Sequence, residues 1–427
     1  MQYTWINLTM LHLPHIRLYD CWIPWSYKGL PFAMPFMNAF LFNFVQVVFV
    51  IFICSNDLCV RSRETVEALY VRPVSNVKIV MGRNAGKLVA VTLLNFLSMG
   101  GALFFNILYS GYAFNGSLYL FYWLTLTFPT LVFILGLSNW LGQVVKHQGL
   151  FILLVLSIVG AGILFLATRL EGFLDPFARE IPNVFSDITG HAGIVNYLLQ
   201  RITIFLIGIV FIFLTVGFYP RLDNSVNTRK KTGVLVGGLL LVLMIPVVTF
   251  INRHDARWEQ QAFCKSLQDR YGGVLVDHVV SQRIVLQEET HGFHAESWMR
   301  ITRLTSSDSS LVLFLNPGLE VDALEQDGIP VTYSRTGQVL VTDLHLVEKD
   351  TVNLHVTYHG HIDGSVVCSD LPRESRGREL SKRLGGMYRS GTRTVLDLEN
   401  YKSYSPASLW YPTCVIPSTS FLQVKDF

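Results

Sequence analysis

Six long apolar runs occupy the first 252 residues of the chain. Each is about 18–23 residues long, which is enough to cross a hydrocarbon core of roughly 30 Å at about 1.5 Å of helix per residue. None of the runs contains Asp, Glu, Lys, Arg or His. The pattern therefore predicts six transmembrane helices, at residues 34–54, 88–110, 118–138, 150–168, 202–219 and 233–251.

After residue 252 the chain changes to an alternation of apolar and polar positions, which is typical of half-buried β-strands. The run at 310–316 is apolar and predicts a central strand, while Asp327-Gly328 and Gly337 predict tight turns. Residues 253–427 are therefore expected to form an all-β antiparallel sheet or sandwich. The clearest alternation places Val352, Leu354, Val356 and Tyr358 on one face and Asn353, His355 and Thr357 on the other.

The first 33 residues differ from both regions because tryptophans and tyrosines occur among prolines there. No basic stretch followed by an apolar stretch is present, so the segment does not have the pattern of a signal peptide. Tryptophan and tyrosine prefer the headgroup zone of a bilayer. Residues 1–33 are thus expected to lie along the membrane surface, with Trp5, Trp22, Trp25, Tyr3, Tyr19 and Tyr27 as interfacial groups.

The distribution of cations predicts the orientation of the spans, since Lys and Arg favour cytoplasmic loops. The loops at 55–87, 139–149 and 220–232 are basic, whereas 111–117 has no cation and acidic residues outnumber arginines in 169–201. The three basic loops are expected to face the cytoplasm. The sequence thus predicts a multi-pass protein of the bacterial cytoplasmic (inner) membrane, with domains at 1–33, 34–252 and 253–427 and the last one extracytoplasmic.

Composition narrows the functional classes. The net charge of +3 is too small to indicate nucleic-acid binding, and the dense basic run at 229–231 lies between two spans, where it is expected to anchor the chain to lipid. The outer domain holds Cys264, Cys368 and Cys414, which allow at most one disulfide. Small residues are expected to let the helices pack closely at Gly160-Ala161-Gly162, Gly233 and Gly237. Prolines inside two spans, Pro129 and Pro246, are expected to kink them.

The segment between the first two spans has the period of a short amphipathic helix. Arg63 and Glu67 are spaced to form an i,i+4 charge pair, with Leu69 and Tyr70 on the apolar face. Pro73 is expected to end this helix, and Ser75 to cap a second helix that enters the next span. A helix of this kind at the cytoplasmic surface can transmit force from a soluble partner, although a merely solvated basic loop is the alternative.

In this segment the chain resembles the ABC-2 family of ATP-binding-cassette permeases. The resemblance is carried by Asp57, Arg63, Glu64, Leu69, Tyr70, Pro73, Ser75, Gly82 and Arg83. It implies that residues 62–76 dock on a cytoplasmic ABC ATPase subunit, and that residues 181–191 form a re-entrant segment. The expected ATPase-coupling residues are Arg63, Glu64, Glu67, Tyr70, Arg72 and Pro73.

Two absences in the sequence agree with a permease that depends on a separate ATPase subunit. The sequence has no Walker A pattern, so a separate subunit is expected to hydrolyse ATP. The apolar runs hold no ionisable residue, whereas ion-coupled carriers usually carry carboxylates or histidines at depth. Since the coupling segment follows the first span here and the second span in the family, a first helix is expected to be missing, supplied by a second permease subunit or by a missing segment.

The outer domain resembles the N-terminal β domain of M1-type zinc aminopeptidases, which occurs fused to ABC-2 permeases. The matching stretches are the surroundings of His278, 313–321, the Asp327-Gly328 turn, 356–363 and 409–413. No H-E-x-x-H is present, so the catalytic zinc domain is expected to be absent. Two histidine groups are expected to be polar cover rather than metal ligands: His291, His294 and Glu296, and His355, His359 and His361.

The sequence therefore predicts a non-enzymatic permease component with no catalytic, cofactor-binding or metal-binding residues. Two alternatives stay open. One is a membrane-tethered module whose outer sheet binds a peptide or a protein, and the other is the non-catalytic part of a split M1-type metallopeptidase.

Overall fold

A computed structural model describes most of the chain. Its described residues fall into two compact units, one up to Ile251 and one from Asn252 onward. Residues 1–32 and 62–73 are among those that the structure does not describe. The described residues are 33–61, 74–105, 107, 116–162, 172–178, 191, 194–219, 226–271, 277–289, 292–304, 310–346, 350–364, 366, 396–398, 401–404 and 408–415.

The first unit is helical. Five stretches of described helix are long and apolar enough to cross a membrane: Asn38–Cys59, Asn76–Phe104, Gly116–Val144, Ile194–Phe218 and Lys230–Tyr271. Large apolar side chains such as Phe52, Leu97 and Leu241 are exposed on them, which is compatible with lipid as their solvent. The helices are α1 (Ala33–Arg61), α2 (Asn76–Phe105), α3 (Gly116–Tyr122), a π-helical turn (Trp123–Thr127), α4 (Phe128–Val144), α5 (Gln148–Ala161), α6 (Ile194–Phe218) and α7 (Val226–Tyr271).

The structure does not confirm six spans. The fourth apolar run, predicted at 150–168, is described as α5, which has 14 residues. A helix of that length is too short to cross roughly 30 Å of hydrocarbon, and residues 163–171 lie outside the described part of the chain. The other five runs coincide with long helices.

Helices α4 and α6 cross at two glycines. A Cβ atom added at Gly208 would lie 2.7 Å from the backbone of Phe133, and one added at Gly136 would meet the carbonyl oxygen of Gly208. The close packing expected in α7 is not confirmed, since no described atom lies within 4 Å of a Cβ added at Gly233 or Gly237. The close approach therefore occurs where single glycines on two helices meet.

The two prolines predicted to kink spans have different surroundings. Pro129 is the second residue of α4, which follows directly after the π-helical turn. Since proline has no N–H to donate, a change of hydrogen-bond register next to it is expected. Pro246 lies inside α7, and the helix continues past it to Tyr271.

The second unit is an antiparallel β-sandwich. A five-stranded sheet has the order β1-β2-β8-β4-β5, and a three-stranded sheet has the order β3-β7-β6. Apolar side chains from both sheets share one core, which includes Phe293, Leu313 and Val356. The strands are β1 (Asp277–Glu288), β2 (Phe293–Arg303), β3 (Ser310–Phe314), β4 (Leu319–Gln326), β5 (Ile329–Pro330), β6 (Tyr333–Thr336), β7 (Val339–His345), β8 (Thr351–Gly360), β9 (Leu396–Leu398) and β10 (Tyr401–Ser403).

Most details of the predicted sheet are confirmed. The alternation along β8 buries Val352, Leu354, Val356 and Tyr358. Asp327 and Gly328 join β4 to β5 with φ angles of 51° and 84°, and Gly337 turns between β6 and β7 with a φ of 55°. The prediction of a central strand at 310–316 was wrong. β3 lies at one edge of the three-stranded sheet, where Phe314 forms a backbone bridge with Thr413. Leu311 and Leu313 are buried in the core shared with the other sheet, and Phe314 in a second apolar cluster with Cys264 and Leu267.

Candidate functional site

The six residues expected to couple the chain to an ATPase lie outside the described residues. These are Arg63, Glu64, Glu67, Tyr70, Arg72 and Pro73. The structure describes both ends of this segment, since α1 ends at Arg61 and α2 begins at Asn76. The predicted cap of α2 is confirmed, because the Ser75 hydroxyl oxygen accepts a hydrogen bond from the Lys78 backbone N–H at 3.4 Å. The predicted re-entrant segment at 181–191 is described only at His191.

A cluster of polar side chains joins three helices close to this segment. Lys87 Nζ on α2 lies 3.0 Å from Asp57 Oδ2 on α1 and 2.8 Å from Asn139 Oδ1 on α4. Cys54 Sγ lies 3.6 Å from both the lysine nitrogen and the asparagine oxygen. We call these residues, together with Asn84, the ion-pair cluster. Asn84 accepts a hydrogen bond from the amide of Asn139.

The ion-pair cluster changes one premise of the sequence analysis. Lys87 directly precedes the second apolar run, but its side chain is only 11% exposed and is enclosed by helices. Asp57 lies three residues after the first run and is 20% exposed. Ionisable groups therefore do occur within the helical bundle. Because a buried lysine is retained only when its charge is compensated, the carboxylate and amide oxygens fix the relative positions of α1, α2 and α4 here.

A second buried cation, Arg201, lies on α6. Its guanidinium donates to the hydroxyl of Thr130 at 3.1 Å and to the carbonyl oxygen of Pro176 at 3.0 Å. It also donates to the carbonyl oxygen of Asp175 at 3.3 Å and to the side chain of Gln200. The side chain thus attaches the segment 172–178 to α4 and α6. The sequence analysis placed Arg201 in an outer loop, which was wrong, because α6 begins already at Ile194.

The exposed face of the five-stranded sheet carries four side chains that lie opposite one another on neighbouring strands: Arg283, Trp298, His355 and Glu325. We call these four residues the ladder. The Trp298 ring stacks on His355 with centroids 4.8 Å apart, and the Arg283 guanidinium carbon lies 5.5 Å from the centre of the same indole. His355 Nδ1 lies 3.8 Å from Glu325, and its Nε2 lies 3.4 Å from Glu296. The ladder is part of the lining of an open concavity of about 640 Å³, with Arg300 and Asp327 also at its wall.

The histidines weighed as metal ligands lie among carboxylates on this same face. His359 Nδ1 lies 2.9 Å from Asp322, while His294 Nε2 is 4.0 Å from that carboxylate. The hydrogen bond with Asp322 raises the pKa of His359. Within the described residues, no group of three His, Cys, Asp or Glu side chains has the geometry to hold a metal ion. His291 lies outside the described residues.

Two buried polar groups of the sandwich were not identified from the sequence. Arg303 on β2 forms a two-point ion pair with Asp277 on β1, with N–O distances of 2.8 and 3.0 Å. Asn316 is fully buried; its amide N–H donates to the carbonyl oxygens of Asp363 and Ser408, and its side-chain oxygen accepts from the N–H of Gly318. A charged residue at the end of an alternating strand was the available signal for the ion pair.

Comparison with known proteins gives weak matches. No family model and no curated protein matches the chain. Among solved structures, it is similar to the M1 zinc metallopeptidase from Deinococcus radiodurans, with 23% identity and a TM-score of 0.19, over 20% of this chain and 21% of that chain. A mutant of a two-domain M1 zinc metallopeptidase bound to L-tryptophan matches with 23% identity and a TM-score of 0.20, over 21% of this chain and 22% of that chain. The similarity to M1 metallopeptidases is weak, and the match spans only 21–22% of the length of those chains.

Proposed function

We propose that this chain is the membrane permease component of an ABC transporter, driven by a separate cytoplasmic ATPase that docks on residues 62–76. The observation that supports the proposal best is the ion-pair cluster. Asp57 lies four residues before the end of α1, and Lys87 lies in the fourth turn of α2, on either side of the expected docking segment. A displacement of that segment therefore reaches α4 through Asn139, which both helices contact through this cluster.

The membrane setting has separate support. Five helices have the length and composition of spans, and they expose apolar side chains as large as Phe52 and Leu241. The basic loops support a cytoplasmic docking segment and an outer β-sandwich, and the proposed location is the bacterial inner membrane. A protease added to spheroplasts, in which the outer face of this membrane is accessible, is expected to cut within 253–427 and to spare 55–87. Cleavage near Arg63 with an intact β-sandwich contradicts this orientation.

Coupling is tested by reversing one charge on the docking segment. We expect Glu67→Lys to reduce at least several-fold the ATP-hydrolysing subunit that co-purifies with the chain, because a lysine repels the cations that a carboxylate attracts. The matched control is Glu259→Lys, which makes the same change at an exposed position of α7. Equal recovery of a Walker A subunit from wild type and both variants contradicts the proposal.

A second candidate function is a membrane-tethered module that binds a peptide or a protein. The concavity on the five-stranded sheet favours it. Arg283 and Glu325 lie at opposite ends of the ladder, and the stacked rings of Trp298 and His355 lie between them. Removing residues 253–427 separates the two functions. If the truncated chain keeps its ATPase subunit, the permease is supported; if it loses every partner, the binding module is supported.

A further inference from the structure

The five-stranded sheet of the sandwich has one long edge, at β1. This strand pairs with β2 on one side, and no described strand pairs with it on the other. The other edge strands of the two sheets are short or blocked: β5 has two residues and includes Pro330, β6 has four residues, and β3 is bridged by Thr413. β1 has 12 residues and contains neither proline nor lysine, which are the residues that usually prevent a further strand from pairing with an edge.

The backbone of β1 directs alternate residues at this edge. The Glu289 N–H donates to the Gly292 carbonyl oxygen across the hairpin that leads to β2. Because the direction of the backbone groups alternates along an antiparallel ladder, the odd-numbered residues next to Glu289 bond to β2 and the even-numbered ones face away from it. Ile284 and Leu286 therefore direct their N–H and C=O groups at the edge, where another strand can pair with them.

The side chains at the middle of this edge are apolar. The regular part of β1 begins at Ser281, after a β-bulge, and continues to Glu289, so that Val285 is its middle residue. Val285 is 47% exposed, Leu286 is 41% exposed, and Ile284 beside them is half-buried. Three consecutive apolar residues on a long edge are typical of a surface that another strand covers.

We propose that this edge pairs with the same edge of a second copy of the chain, antiparallel and about a two-fold axis at Val285. Ile284 then exchanges backbone hydrogen bonds with Leu286 of the second copy, and Leu286 does so with Ile284 of that copy. The two Val285 side chains face each other across the axis. The two five-stranded sheets become one continuous sheet.

The side chains favour this register over its neighbours, and they identify a second copy as the occupant. An axis at Ile284 places Val285 opposite Arg283, and an axis at Leu286 places Ile284 opposite Glu288. An axis at Arg283 places two arginines opposite each other, which destabilises a pair of strands. With the axis at Val285, apolar residues face apolar residues and Arg283 faces a neutral residue. The edge is thus complementary to itself.

The pairing goes beyond both candidate functions, since it requires neither an ATPase nor a bound peptide. Side chains alternate between the two faces of a strand, so the exposed faces of both sheets lie on the same side of the joined sheet. Ser281 and Arg283 line the concavity and belong to the paired strand. The concavities of the two copies therefore lie next to each other on one surface.

Cysteine cross-linking tests the pairing in the full chain in its native membrane. Only a residue on a two-fold axis lies opposite itself. The Cα atoms of the two copies are about 4.5 Å apart for Val285→Cys and about 27 Å apart for the control Ser281→Cys, which is exposed on the same face. A disulfide requires a separation below about 7 Å. With the native cysteines retained and the wild-type chain as background, we expect copper-phenanthroline to cross-link Val285→Cys at least about tenfold faster than the control.

A second set of variants tests the register. Arg283→Cys and Gln287→Cys, on two differently tagged chains expressed together, lie opposite each other and should cross-link between the tags. Adding Val285→Lys to both chains should reduce this cross-link at least about tenfold, because two ammonium groups then meet at the axis. The matched control is Val280→Lys, the same change at a 55% exposed position before the regular part of β1. It should leave the cross-link unchanged.

Equal cross-linking of Val285→Cys and Ser281→Cys overturns the pairing. A product of Val285→Cys whose mass is not twice that of the chain indicates a different protein at this edge and also overturns it. If Val280→Lys reduces the cross-link between the tags as much as Val285→Lys does, the axis does not lie at Val285. Co-purification of the ATPase subunit is measured on the same Val285→Lys preparations and should not change, so that failure of the pairing and failure of the permease proposal are distinguished.

Discussion

Among the described residues, each unit fully buries one arginine, and the two units compensate its charge differently. In the sandwich, Arg303 meets the carboxylate of Asp277 through two hydrogen bonds. In the helical unit, Arg201 donates to neutral oxygens, namely the Thr130 hydroxyl and the carbonyls of residues 175 and 176. The first arrangement joins two adjacent strands, β1 and β2, that already pair through backbone hydrogen bonds. The second attaches a short non-helical segment to two helices.

The difference teaches what each arginine does for its unit. A carboxylate partner neutralises the charge, so that removing either member leaves the other charge buried and uncompensated. Backbone carbonyls provide only partial negative charge, so removing Arg201 leaves no buried charge behind, and the neutral groups it contacts keep hydrogen bonds from Thr130 and Gln200. The sandwich is therefore expected to be more sensitive to loss of its arginine, while the helical unit loses the attachment of one segment.

The largest effect is expected from Arg303→Met. The Asp277 carboxylate, which is 6% exposed, then remains buried without a cation, and we expect the sandwich to lose about 3–5 kcal/mol of unfolding free energy. Urea unfolding of the full chain in detergent measures this through the transition of the sandwich. The control replaces both partners, Asp277→Leu with Arg303→Met, and should recover most of the loss. A single variant as stable as the double variant contradicts an ion pair that compensates charge.

Arg201→Met is expected to have the next largest effect. Its loss removes the charged donor shared by the Thr130 hydroxyl and two carbonyl oxygens, although Thr130 still donates to the Pro176 carbonyl and Gln200 to the Asp175 carbonyl. Because hydrogen bonds from a charged group contribute most, we expect about 2–3 kcal/mol of destabilisation of the helical unit. The control Arg201→Lys keeps the charge but not the fork of donors, so its stability should fall between methionine and wild type. Thermal unfolding in detergent measures the order. If lysine and methionine are equally stable, charge plays no part in attaching residues 172–178.

The same comparison shows where the sequence was sufficient. The apolar runs located five long helices because length and composition decide that property locally. They did not locate the helix ends, since Asp57, Lys87 and Arg201 all lie within helices that continue past the apolar residues. A polar residue next to a run does not show whether it faces lipid, water or another helix. Only the neighbouring helices decide that.

Pairwise packing was not predictable in either unit. Gly136 and Gly208 have no sequence signature as single glycines, whereas the more conspicuous Gly233 and Gly237 have no described neighbour. In the sandwich, strand alternation and the Asp327-Gly328 turn were local signals and are confirmed. The edge position of β3 depends on which strands pair, and the apolar run could not indicate it. The ATPase-coupling residues stay a prediction, because they lie outside the described residues.

The smallest effect is expected from the exposed face of the sandwich, where charge is compensated in water. The hydrogen bond with Asp322 raises the pKa of His359 above its ordinary 6.5. The folded state therefore binds the proton more tightly than the unfolded state. The resulting stabilisation is complete below the unfolded pKa and is lost as the pH rises through the folded pKa.

His359→Gln should remove this part of the pH dependence. Because the imidazole is exposed and screened by solvent, we expect a difference in Tm of about one degree or less between the wild-type and variant chains below pH 6.5, vanishing at higher pH. Asp322→Asn should give the same change, since it removes the acceptor that raises the pKa. Scanning calorimetry of the full chain at several pH values measures both. A difference that grows with rising pH contradicts the assigned direction, and one of several degrees means that this solvent-exposed contact stabilises the sandwich as strongly as a buried one.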